Sequence, residues 1–110
     1  MGSTIDEIEE VFNNSLNSNR IYLFNNSKKA IVISSKIITR DFCKQIFKNH
    51  KKIAPKQFEI LKESDGWYIK PFEVKPPFYP TKLNSKVLTS KTKLSKGDKI
   101  QIDDVEFEIL

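Results

Sequence analysis

Among the charged side chains of this sequence the cationic ones predominate, 19 Lys and Arg against 14 Asp and Glu. Lys48, Lys51, Lys52 and Lys56 crowd one short stretch with Arg40 upstream, and Lys82, Lys86, Lys91, Lys93, Lys96 and Lys99 form a second group. Such clusters bind phosphate on a peptide or a nucleic acid, or simply coat a solvated surface. Other chemistry is poorly served. A catalytic thiol needs a basic partner and a zinc site about four ligands, whereas the chain has one Cys, Cys43, and one His, His50. Cys43 is expected to be a small buried hydrophobe, and His50, within Lys48-Asn49-His50-Lys51-Lys52, a loop residue. The three glycines form neither G-x-G-x-x-G nor G-x-x-x-x-G-K, so no dinucleotide loop or P-loop can be drawn. The expectation is a non-enzyme with no catalytic residues, no metal and no cofactor.

These residues need a scaffold, and the composition supplies one. With 110 residues, 38% of them hydrophobic and including eight Phe, the chain can bury one core and is too aromatic for a disordered segment. No run approaches the roughly 18 apolar residues that span a bilayer, and the N-terminus runs straight into acids, so a cytoplasmic protein without membrane contact is expected.

Thr4-Ile5-Asp6-Glu7 has the form of a helix capping box, and Ile5, Ile8, Phe12 and Leu16 recur at helical spacing. The spacing predicts an amphipathic helix within residues 1–18, whose stripe either docks on the rest of the chain or serves a partner or second copy. After Arg20 the period becomes that of strands. Arg20–Phe24 and Ala30–Ile33 flank the turn formers Asn25-Asn26-Ser27, and Phe58–Lys62 and Trp67–Lys70 flank an Asp65-Gly66 hairpin signal. Lys36–Lys48 reads as strand and loop. Pro71, Pro76, Pro77 and Pro80 deny a ladder to the segment before Thr81, and short alternating strands finish the chain. The class is mainly β, an antiparallel sandwich over residues 19–110. Its expected core is Ile31, Ile33, Ile46, Phe58, Ile60, Trp67, Ile69, Leu83, Leu88, Ile100, Ile102 and Phe107.

From Gln45 onward the order of signals resembles a forkhead-associated (FHA) domain. Gln45–Ile60 matches the family's apolar pair, polar loop and Val-Ser-x-x-His strand without a gap; Asp65–Ile69 matches its aromatic hairpin. Pro80–Leu88 follows its Gly-Thr-x-Val-Asn-Gly-x-x-Leu run loosely, and Leu94–Ile102 its Leu-x-x-Gly-Asp-x-Ile-x-Ile strand closely. The resemblance implies a β-sandwich that binds phosphothreonine peptides through loops at one end, as signalling modules do.

Four polar positions of the family's pattern are changed here. Aligned on Ile33-Ser34-Ser35, the family's Arg falls on Ser35; its phosphate-binding Ser falls on Ala54, its structural His on Gln57, and its Asn on Tyr79. Losing a bidentate Arg and a loop hydroxyl removes much of any affinity that depends on phosphate. Arg40, Lys52 and Lys56 are the candidate stand-ins, with Thr81 and Asn84 completing the candidate loops; otherwise the rim is plain solvated charge. The expected function is a non-catalytic module for another protein, phosphorylated on Thr or not, with phosphothreonine recognition weakened, altered or lost. The alternative is a nucleic-acid-binding domain using the lysines from Lys82 to Lys99, a less favoured reading because lysine-rich faces are common on soluble domains.

Overall fold

Tight turns set the register of this molecule. In the computed structural model, which describes residues 19–110, Asn26 and Ser27 both take positive φ, 49° and 66°. Two such residues twist a hairpin in the same sense as its strands. They join β1 (Ile21–Asn25) to β2 (Lys28–Val32), with Tyr22 opposite Ile31 and Leu23 opposite Ala30. Then come β3 (Lys36–Thr39), α1 (Arg40–Ile46) and the long hairpin of β4 (Lys56–Glu63) and β5 (Gly66–Pro71). Gly66, at φ 139°, turns that hairpin where a side chain would be strained. The short β6 (Lys82–Leu83), β7 (Lys86–Val87) and β8 (Thr92–Lys93) precede β9 (Lys99–Ile102) and β10 (Val105–Ile109).

These ten strands form two sheets, six in the order β2-β1-β10-β9-β6-β7 and four in the order β3-β4-β5-β8. Every pairing is antiparallel. The core between them contains Ile21, Leu23, Ile38, Phe58, Ile60, Trp67, Ile69, Ile100, Ile102 and Phe107. Phe107 stands edge-on to Phe47 at 5.2 Å and to Phe58 at 6.3 Å between ring centroids. Offset and edge contacts of this kind add to burial itself. Asn25 ties β1 to β10 by donating from Nδ2 to the Glu106 carbonyl at 2.8 Å.

Three sequence expectations are corrected. Ile31 and Ile33 are 54% and 64% exposed, because the hairpin register turns Ala30 and Val32 inward instead. Part of Lys36–Lys48 is helical: Thr39 caps α1 by accepting from the Phe42 amide at 3.0 Å, and Gln45 donates to Asp41 one turn away. This short helix buries Cys43 and leaves Ile46 exposed. Leu83 is only half-buried against the core. The helix expected within residues 1–18 lies outside the described residues. Among the described residues no helix is long and apolar enough to cross a membrane.

Cys43 is fully buried as expected, and burial pushes its thiol up to about 12. The neutral thiol is therefore the native species. A thiol reagent is expected to label no cysteine in the native chain at pH 8 and one per chain in denaturant. Rapid native labelling would contradict this placement.

Candidate functional site

The end of the sandwich at which β4 begins gathers three loops, and a buried glutamine joins two of them. Gln57 is wholly inaccessible. Its Oε1 accepts from the Ala54 amide at 2.8 Å, while Nε2 donates to the Tyr79 carbonyl at 2.9 Å and to Thr81 Oγ1 at 3.0 Å. The Thr81 hydroxyl in turn donates to the Gln57 carbonyl at 3.3 Å. One side chain thus fixes the loop before β4 against the proline-rich loop before β6. Gln57 and Thr81 are buried, so they position loops, and little of Ala54 reaches the surface either.

The surface held by this knot has two hollows on either side of Pro55. One, of about 590 Å³, is lined by Thr39, Arg40, Asp41, Lys44, His50 and Pro55. The Arg40 amide donates to the Pro55 carbonyl at 3.4 Å, which attaches the start of α1 to the loop before β4. Arg40's guanidinium lies over the Phe78 ring at 5.9 Å, and no carboxylate among the described residues forms an ion pair with it. The other, of about 470 Å³, is an apolar groove between Pro55, Phe72, Val74, Pro76 and Phe78 with Lys56, Glu73 and Lys75 on its rim. A charged hollow beside an apolar groove can hold an extended peptide bearing an anion near an apolar residue.

Lys52 is less available. It donates to Asp103 and lies 3.6 Å from Asp104, and its charge sits 5.4 Å from the centre of the Tyr79 ring. The hydrogen bond to Asp103 raises the Lys52 ammonium above its ordinary range and holds the Asp103 carboxyl below its own. Lys52 therefore braces the 103–104 turn.

The structure brings together Arg40, Lys52, Ala54, Lys56, Gln57, Tyr79 and Thr81 and separates two other candidates. Ser35 lies near the opposite end of β4, where its Oγ accepts from the Lys62 amide at 2.9 Å. Arg40 directly follows β3, the strand paired with β4, and begins α1. Asn84 also lies away from these loops, in the β6–β7 turn, where Oδ1 accepts from the Lys99 amide and Nδ2 donates to Asp98. Lys44, His50, Phe72, Val74 and Phe78 were missed as site residues. The aromatic residues between the prolines were the available signal.

No protein-family model matches the chain, and no curated protein is similar to it in sequence. Solved structures are similar in fold. Mycobacterium tuberculosis EmbR, in complex with a low-affinity phosphopeptide, superposes with a TM-score of 0.71 at 16% identity, over 97% of this chain and 29% of that one. The FHA domain of an Arabidopsis thaliana hypothetical protein gives 0.67 at 16% identity, over 86% of this chain and 87% of that one. A structure from work on phosphothreonine-dependent FHA domain interactions gives 0.62 at 14% identity, over 82% and 94%. The fold is the FHA-like β-sandwich.

Proposed function

We propose that this domain is a non-catalytic interaction module whose loop end binds a segment of another protein, with a phosphate or carboxylate received by Arg40. The position of Arg40 carries the proposal. It follows the strand paired with β4, is attached to Pro55 and opens onto the hollow that Lys44 and His50 share. Phosphothreonine recognition is altered in this reading, since Ala54 offers no hydroxyl and Lys52 is committed to its aspartates. Two of the lysines favouring nucleic acid are likewise compensated: Lys91 pairs with Glu63 at 2.6 Å and Lys99 with Glu108 at 3.1 Å.

The test is a backbone NMR titration with a degenerate phosphothreonine peptide mixture and, separately, with generic single- and double-stranded DNA over a range of salt. Peptide-induced shifts are expected at Arg40, Lys44, Lys56 and Phe78, with negligible DNA binding near physiological salt. Tight DNA binding that falls linearly with salt on logarithmic axes and maps to Lys82–Lys99 would overturn the proposal.

A further inference from the structure

We propose that Asn26 is a site of spontaneous covalent modification, where its carboxamide is exchanged for a carboxylate while the same dipeptide at Asn84 is protected by the fold. Asparagine followed by a small residue is chemically labile, because the next backbone nitrogen can reach the carboxamide carbon. The described residues hold two Asn-Ser pairs, and both are followed by lysine: Asn26-Ser27-Lys28 and Asn84-Ser85-Lys86. Both occupy two-residue hairpin turns at positive φ, 49° and 66° in the first, 51° and 73° in the second. Local sequence and turn geometry therefore match, and only the surroundings differ.

The second turn is pinned. Asn84 Oδ1 accepts from the Lys99 amide at 2.9 Å and Nδ2 donates to Asp98 at 3.0 Å. The Ser85 amide, which would be the nucleophile, donates to Gln101 Oε1 at 2.8 Å. At the first turn neither group is held. Asn26 and Ser27 are exposed, the Asn26 side chain bonds to no described residue, and the Ser27 amide donates to none. Asn26 also borders a hollow of about 280 Å³ shared with Asn49, Asp104 and Glu106, so its carboxamide has room to turn. A further pair that is labile by sequence, Asp65-Gly66, is held as well. The Tyr68 hydroxyl donates to Asp65 at 2.8 Å and keeps its carboxyl below the ordinary range, and an ionised carboxylate resists attack.

The step balances with water alone. The Ser27 nitrogen gives its proton to solvent base and forms a bond to Asn26 Cγ, and the carboxamide nitrogen leaves as ammonia. Water then opens the cyclic imide at either carbonyl, which gives aspartate or isoaspartate at position 26. Isoaspartate lengthens by one backbone atom the turn that sets Leu23 opposite Ala30. Either product adds a negative charge beside Asp104, Glu106 and Glu108.

Peptide mapping of the full chain tests this. The unaltered protein is held at pH 8, natively and in denaturant, then cleaved after lysine and arginine, which releases residues 21–28 and 83–86 for mass spectrometry. Fragmentation separates position 26 from Asn25. In the native chain, conversion at 26 is expected at least about tenfold faster than at 84, because the held groups must first open. In denaturant the two rates should converge to within about threefold, since the fold no longer distinguishes one Asn-Ser-Lys sequence from the other. Equal native rates, including none at either position, faster loss at 84, or a native ratio that persists unchanged in denaturant would overturn the proposal. The variant Gln101→Ala, at a half-buried position of β9, frees the Ser85 amide and should raise the native rate at 84 severalfold; no rise would also overturn it.

Discussion

Replacing Phe58 with alanine is expected to destabilise the domain by about 3 to 5 kcal/mol, since a fully buried ring is lost and its cavity only partly closes. Phe58 stands in β4, between the partners that β3 and β5 supply, and its ring meets Phe107 of the opposite sheet. The change therefore loosens the contact between sheets as well as removing apolar area. For a domain of this size the melting temperature should fall by more than about 10 °C, read by circular dichroism. A Lys91→Ala control should stay within about 0.5 kcal/mol, because its ion pair is exposed. Unchanged melting of the Phe58 variant would mean that β4 does not form the centre of the core.

Replacing Gln57 with leucine is expected to cost about 2 to 4 kcal/mol and to abolish peptide binding together. The leucine fills a similar volume but leaves the Ala54 amide and the Tyr79 carbonyl without the partner that now satisfies them, and the Thr81 hydroxyl with only its bond to the backbone carbonyl of residue 57. Each stranded group near the interior costs about 1 to 3 kcal/mol, less where water can reach it. The two loops that frame the hollow and the groove would then no longer be held in one geometry. Denaturant unfolding reads the stability term and a peptide titration the second; full binding by a destabilised variant would contradict the positioning role.

What could be read from the sequence was what local chemistry determines. Asn26-Ser27 and the Asp65-Gly66 signal mark hairpins that form where they were expected, and alternating Phe58, Ile60, Trp67, Ile69, Ile100 and Ile102 fill the core. Register was not legible. In Ala30-Ile31-Val32-Ile33 either alternate pair could face inward, and only the two-residue turn, by fixing Leu23 opposite Ala30, selects the smaller pair. The short helix after β3 was hidden because Arg40–Ile46 has too few turns for a helical stripe to stand out from a strand pattern. Where the aligned Ser35 lies was equally hidden, since its bond to the Lys62 amide near the end of β4 depends on how that strand pairs with its neighbours. Gln57 was legible only as a change from the family's histidine, and Thr81 only as the threonine of its Gly-Thr run. Their burial and mutual bonding depend on contacts across the fold that no local pattern encodes.

The most direct measurement of the central claim is a two-by-two comparison of one binding peptide, phosphorylated and unphosphorylated, against the unaltered domain and Arg40→Ala. If Arg40 receives the phosphate, phosphorylation should strengthen binding to the unaltered domain by about tenfold or more, the value of one charge-assisted contact, and that gain should vanish in the variant. Equal gains in both proteins, or no gain in either, would contradict the account and return the rim of this sandwich to plain solvated charge.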